Sequence, residues 1–148
     1  MGKKEVPRKV DTPEMRDKVE ELHDKYGFEC VGEIKKTGKI ILSKGVTVTD
    51  AIVERLKGEW RCEEEVEFKV LLLLVALYMI LCPTQSRCLE VDLVPALTCA
   101  MDARRYDWCE LVLQKLISSV KRFARKFDAC GYAGGCGGCS LFVAVSIF

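Results

Sequence analysis

Cys136, Gly137, Gly138 and Cys139 place two thiols at the spacing that can chelate one ion or close a strained, reducible disulfide. Cys130 precedes the pair as the nearest further donor. A structural zinc site takes four ligands, so Cys109 or Cys99 would have to converge from elsewhere in the fold. Three readings follow: a glycine-rich loop with incidental cysteines, a zinc site built on Cys130, Cys136 and Cys139, or a redox pair. His23 is the sole histidine. It sits in the charged run Glu20-Glu21-Leu22-His23-Asp24, which predicts a solvent-exposed side chain rather than a general base for a cysteine or serine nucleophile. The chain contains no Gly-x-Ser-x-Gly elbow, no Gly-x-x-x-x-Gly-Lys phosphate loop and no Gly-x-Gly-x-x-Gly run. These residues assign no catalytic and no cofactor-binding group, and a non-enzymatic protein is expected.

The other chemically directed pattern is a run of cations. Lys115, Lys121, Arg122, Arg125 and Lys126 share a segment with no acid between Leu111 and Phe127. One reading is a solvated helix face with cations near the negative end of the helix dipole. The alternative is contact with a phosphate backbone, a nuclear import receptor or another partner. Lys plus Arg number 23 against 22 Asp plus Glu. Any nucleic-acid contact must therefore be local rather than a property of the whole charge.

Positioning these groups falls to a mainly helical domain. Thr12-Pro13-Glu14 reads as a helix start, since threonine can cap free amides and proline lacks an N–H that would be orphaned there. Met15, Val19, Leu22 and Tyr26 follow at helical spacing, and Gly27 ends the element. Cys30–Ile34 and Lys39–Ser43 flank Lys36-Thr37-Gly38 and predict a small β-hairpin near residues 30–43. Thr49 or Asp50 can cap a short helix carrying Ile52, Val53 and Leu56; Glu63–Glu67 opens a longer one with acids at its positive end. Asp107-Trp108-Cys109-Glu110 has the form of a capping box, and Leu113, Leu116, Ile117, Val120, Phe123 and Phe127 then recur every three or four residues.

Val70–Cys82 carries no charge and stops at Pro83. A membrane-spanning helix needs about 20 apolar residues, so this shorter stretch predicts a buried core helix, with membrane association through 70–82 as the alternative. The expected core packs it against the apolar face of 107–127, with the first helix alongside. Charge separates the halves: residues 1–69 hold 15 Lys or Arg and 16 Asp or Glu, and residues 70–148 hold 8 and 6.

With 148 residues, the chain is near the usual size of one domain. Residues 1–11 read as a flexible basic N-terminus and 12–148 as one helical domain. Nine cysteines, an odd number, with no apolar signal-peptide core, imply a reducing compartment, nuclear or cytoplasmic rather than secreted. Most of these cysteines are expected to serve as small buried hydrophobes. Val6 occupies the position where a myristoylation signal wants Ser or Thr.

Three blocks of the sequence resemble the plant mobile domain of transposon-derived plant proteins. The first runs from Thr12-Pro13-Glu14 to Tyr26-Gly27-Phe28, and the second from Phe68 to Leu81-Cys82-Pro83-Thr84. The third joins Pro95-Ala96-Leu97, Tyr106-Asp107-Trp108-Cys109 and Gly137-Gly138-Cys139-Ser140-Leu141-Phe142, in the family's order. The resemblance implies packing or helix-end roles for Cys82, Cys109 and Cys139. It also implies a transposon-derived, non-enzymatic protein acting through protein–protein or chromatin-associated contacts. The region between Val48 and Glu63 looks shortened, and the domain is expected to be truncated after its Gly-Gly-Cys block. Because no protease module and no lysine in a pyridoxal-phosphate setting is recognisable, neither the SUMO-protease nor the aminotransferase-like label carries over.

Overall fold

A computed structural model describes residues 2–7, 12–26, 29–36, 39–46, 48–83, 89 and 91–131, of which 29–36, 39–46, 91, 92 and 130 are described through the backbone alone. The fold is mainly α. Pro13–Tyr26 form α1, with the Thr12 carbonyl accepting the Arg16 amide at 3.2 Å. A hairpin follows, β1 (Glu29–Lys36) antiparallel to β2 (Lys39–Val46), in a register that sets Glu29 opposite Val46 and Lys36 opposite Lys39. It is longer than expected at both ends, and its ladder includes Lys36. Asp50–Lys57 form α2, entered through Thr49 in an extended conformation; no side-chain cap bond is made, so the backbone geometry alone starts the helix.

A single turn of tight helix at Cys62–Glu64 leads into α3, Glu65–Ala76. The Glu64 carboxylate accepts the Arg61 amide at 3.0 Å, satisfying one donor that helix entry would orphan. α3 widens into a π-turn at Leu77–Leu81, where the Cys82 amide reaches back to the Leu77 carbonyl at 2.8 Å. Pro83 follows, and proline cannot continue the hydrogen-bond ladder.

Val91–Cys99 form a stretch of 3-10 helix that encloses Pro95. The tighter winding leaves the Pro95 carbonyl to accept the Thr98 hydroxyl at 2.7 Å. A second short turn, Ala103–Arg105, precedes α4, Trp108–Cys130.

The core forms around α3. Val70, Leu71, Leu74 and Leu77 are fully buried, meeting Val19 and Leu22 of α1, Ile52 of α2, and Leu89, Leu93, Ala96 and Leu97. The expected packing of α3 against the whole apolar face of 107–127 is corrected here: α4 gives the core only Leu111 and Val112, beside a partly buried Trp108. α1 packs on α3, where it was expected, and the place expected for α4 is filled by α2 and the 91–99 segment. The start of the chain is anchored as well. Glu5 bridges to Tyr106, its carbonyl accepts the Asp107 amide at 2.7 Å, and Pro7 is buried, so residues 5–7 are held where a flexible arm was expected.

Candidate functional site

The cations and apolar residues singled out in the sequence meet on α4, whose base is firmly fixed. The Asp107 carboxylate accepts the Glu110 amide at 3.0 Å, satisfying one free donor of the first turn. Only half of the anticipated capping box forms, because the Glu110 carboxylate accepts the Gln114 side-chain amide at 2.8 Å instead of reaching back. The Trp108 indole donates to the Ala103 carbonyl at 2.7 Å, tying the helix to the preceding turn. At the far end Gly131 adopts φ 70°, a left-handed conformation suited to glycine, and its amide closes on the Phe127 carbonyl at 2.8 Å.

Between these ends α4 leaves the core. Leu113, Ile117, Val120 and Phe127 are 38%, 44%, 51% and 53% exposed. Phe123 and Phe127 stack with ring centroids 6.2 Å apart near the tip. From Lys121 to Ala129 every residue except the half-buried Phe123 is exposed. Lys121, Arg122, Arg125 and Lys126 lie on this exposed part, and Lys115 is half-buried nearer the base. The Arg125 guanidinium donates to the Lys121 carbonyl at 3.3 Å, holding that side chain along the helix. The five predicted cations therefore share one helix with a row of exposed apolar side chains.

A second polar constellation had no clear signal in the sequence. Glu67 of α3 is buried, and its carboxylate accepts the Tyr26 hydroxyl and the Lys25 ammonium, the latter at 3.1 Å. Arg55 of α2 lies 3.9 Å away and pairs with Glu64 at 2.9 Å, while its guanidinium stacks 3.5 Å above the Trp60 ring. Burial disfavours the Glu67 anion, but hydrogen bonds from Tyr26 and Lys25 outweigh it and hold the carboxyl below its ordinary range. Burial and the same hydrogen bond push the Tyr26 phenol up. With its carboxylate so fully engaged, Glu67 acts as a clamp joining α1, α2 and α3 rather than as a proton-transfer group.

Beside α3 lies an open groove of about 580 Å³, lined by apolar residues including Leu72, Leu73 and Met101, with Lys69 and Arg104 among its charged residues. Lys69 is paired with Glu65 at 2.5 Å. Leu72 is exposed on this groove, and Met79 and Ile80 are exposed in the π-turn that follows α3. The uncharged run 70–82 gave no indication of them, because hydropathy alone does not say which side faces water.

The cysteines divide. Cys82 and Cys99 are buried, as small hydrophobes would be, whereas Cys62 and Cys109 are exposed. Cys109 occupies the first turn of α4, a helix-end place without burial. Cys130 is the last residue of α4 and its side chain is not described; Cys136 and Cys139 lie outside the described residues, as does the loop expected around them. No group of three metal-ligating side chains occurs among the described residues. His23 is half-buried rather than exposed, with Nδ1 3.6 Å from the Asp24 carboxylate. Among the described residues no helix is long and apolar enough to cross a membrane, and most of the large side chains of 70–77 are turned into the core.

A family model described as a domain of unknown function, DUF8566, matches residues 1–144. No curated protein and no solved structure matches the chain.

Proposed function

Given that the chain belongs to the DUF8566 family, we propose that it is a non-enzymatic contact protein whose binding element is α4. One observation carries this reading: Leu113, Ile117, Val120 and Phe127 remain in water on a helix whose base is fixed by Asp107, Trp108, Leu111 and Val112. Leaving four large apolar side chains uncovered forgoes the stabilisation that burial would bring, about 1.5–3 kcal/mol for each fully buried side chain. Such a surface is explained by an occupant. The sequence supports the non-enzymatic part, since its only histidine sits beside Asp24 on α1 and no nucleophile or phosphate motif accompanies it.

The three-block resemblance to the plant mobile domain supports a transposon-derived origin and protein–protein or chromatin-associated contacts. The odd count of nine cysteines supports a reducing compartment, nuclear or cytoplasmic. Recovery of tagged protein from plant cells, with nuclear and cytosolic fractions kept apart, tests the reading. Wild type should retain a defined set of partners that Ile117→Asp with Val120→Asp loses. An unchanged set in that variant would contradict it.

A further inference from the structure

The groove beside α3 has two walls, each fixed by the fold's own contacts. One is a single face of α3: Lys69, Leu72, Leu73 and Ala76 recur at the three- and four-residue spacing that lines side chains up along a helix. Val70, Leu71 and Leu74 bury the opposite side of that helix in the core. The other wall is the turn from Ala100 to Arg105. Its backbone is held by amides bonded three residues back, Ala100 on Leu97 and Asp102 on Cys99 at 3.2 Å and Arg105 on Asp102 at 2.8 Å. The Trp108 indole on the Ala103 carbonyl fastens the same turn to α4. Ala76, Ala100 and Ala103 all line the groove, so its volume of about 580 Å³ lies where longer side chains would otherwise project. Ligand pockets commonly enclose about 300–1,000 Å³.

Charge on the second wall narrows the ligand. Lys69 is already paired with Glu65. Arg104 is exposed and forms no ion pair among the described residues. Arg105 bears electrostatically on Tyr106, but burial raises that phenol, which is uncharged near neutrality and leaves the guanidinium its charge. Asp102 is the one acid lining the groove, so two guanidinium groups face one carboxylate above an apolar floor. We propose that this groove binds a small amphipathic carboxylate of the fatty-acid class, its chain along Leu72, Leu73 and Ala76 against Met101 and its carboxylate on Arg104. A guanidinium takes a carboxylate through two parallel hydrogen bonds. The α3 wall runs about 10 Å from 69 to 76 at 1.5 Å per residue, an elongated floor suited to a chain. A flat membrane cannot enter between two walls, and a bare inorganic anion would leave the floor in water. The site is separate from α4 and does not rest on the contact reading above.

Decanoate, kept below its micelle concentration at neutral pH, is the probe, titrated into the full chain by calorimetry and by amide NMR. The expected result is saturable one-to-one binding with shifts grouped at 69–76 and 100–105. Arg104→Glu should weaken decanoate about tenfold or more while changing decanol binding by no more than about threefold. Ala76→Phe, which fills the groove, and Leu72→Asp should each weaken both ligands. Should Ala76→Phe alter the circular dichroism, Leu72→Asp, at an exposed position, decides alone. The α4 variant Ile117→Asp with Val120→Asp should bind decanoate as wild type does, and loss there in place of the groove variants would overturn the site. So would the absence of saturable binding, shifts centred elsewhere, or equal affinity for decyltrimethylammonium. Phosphatidylserine vesicles, sedimentation of the chain alone and the partners recovered from plant cells provide the remaining arms. Vesicle binding, dimerisation or a partner lost on Leu72→Asp, without decanoate binding, would give the groove to a membrane, a second copy or another protein and overturn the ligand.

Discussion

α3 and α4 are both rich in apolar residues, yet one supplies the centre of the core and the other stands largely outside it. In α3 and the π-turn that continues it, the large side chains at 70, 71, 74 and 77 are fully buried among three neighbouring elements. In α4 burial ends at Val112, although the recurrence of apolar residues continues to Phe127. The difference lies in what surrounds each helix. α1, α2 and the 91–99 segment already fill the space about α3, so among the described residues the amphipathic row of α4 meets no partner over most of its length. Helical amphipathicity fixes which side chains share a face, but not whether that face is met by the same chain.

Substitutions that treat the two helices alike should separate them. The largest effect is expected for Leu74→Ala, which opens a cavity against the α1 and 91–99 residues and should cost about 2–5 kcal/mol in urea unfolding. An equivalent loss for Ile117→Ala would erase the contrast between the helices. Glu67→Gln should cost about 1–2 kcal/mol near neutral pH, because the clamp loses its charge while half of the Lys25 side chain remains in water and screens the pair.

The Glu67 substitution also has a pH signature. With its pKa lowered on folding, Glu67 contributes stability that is present above the ordinary carboxylate value of about 4.3 and is lost as pH falls through the lower folded value. The Gln variant should therefore lose less stability on acidification than wild type. Equal acid sensitivity in urea titrations at neutral and acid pH would remove Glu67 from the account. Asp107→Ala removes the cap at the base of α4 and should cost about 1 kcal/mol, visible as faster amide exchange in its first turn.

Ile117→Asp with Val120→Asp should change stability least, by no more than about 0.5 kcal/mol, since both side chains are already substantially in water.

Much of this contrast was legible in residue order. Proline at the head of α1, the acids opening α3 and Asp107 before α4 mark element ends because each satisfies or forgoes particular backbone bonds. The five cations and the apolar row of α4 were legible for the same local reason, a period of 3.6 residues. What covers a helix depends on contacts between distant segments. Leu93, Ala96 and Leu97 became core through an unforeseen stretch of 3-10 helix around Pro95, and they pack where α4 had been expected. The Glu67 clamp was hidden likewise, since Lys25, Tyr26, Arg55 and Glu67 come together only when three helices dock. Local spacing also misjudged His23, whose charged neighbours indicated exposure while the packing of α1 half covers it.

The central claim is that the α4 apolar row belongs to an external contact and not to the chain's own core. Equilibrium urea unfolding of the full chain carrying Ile117→Asp and Val120→Asp tests it without any partner. The account predicts an unfolding free energy within about 0.5 kcal/mol of wild type and an unchanged dependence on urea. A loss of about 2 kcal/mol or more, the size expected when buried apolar side chains are replaced by charge, would show that this face is packed inside the protein and would contradict the account.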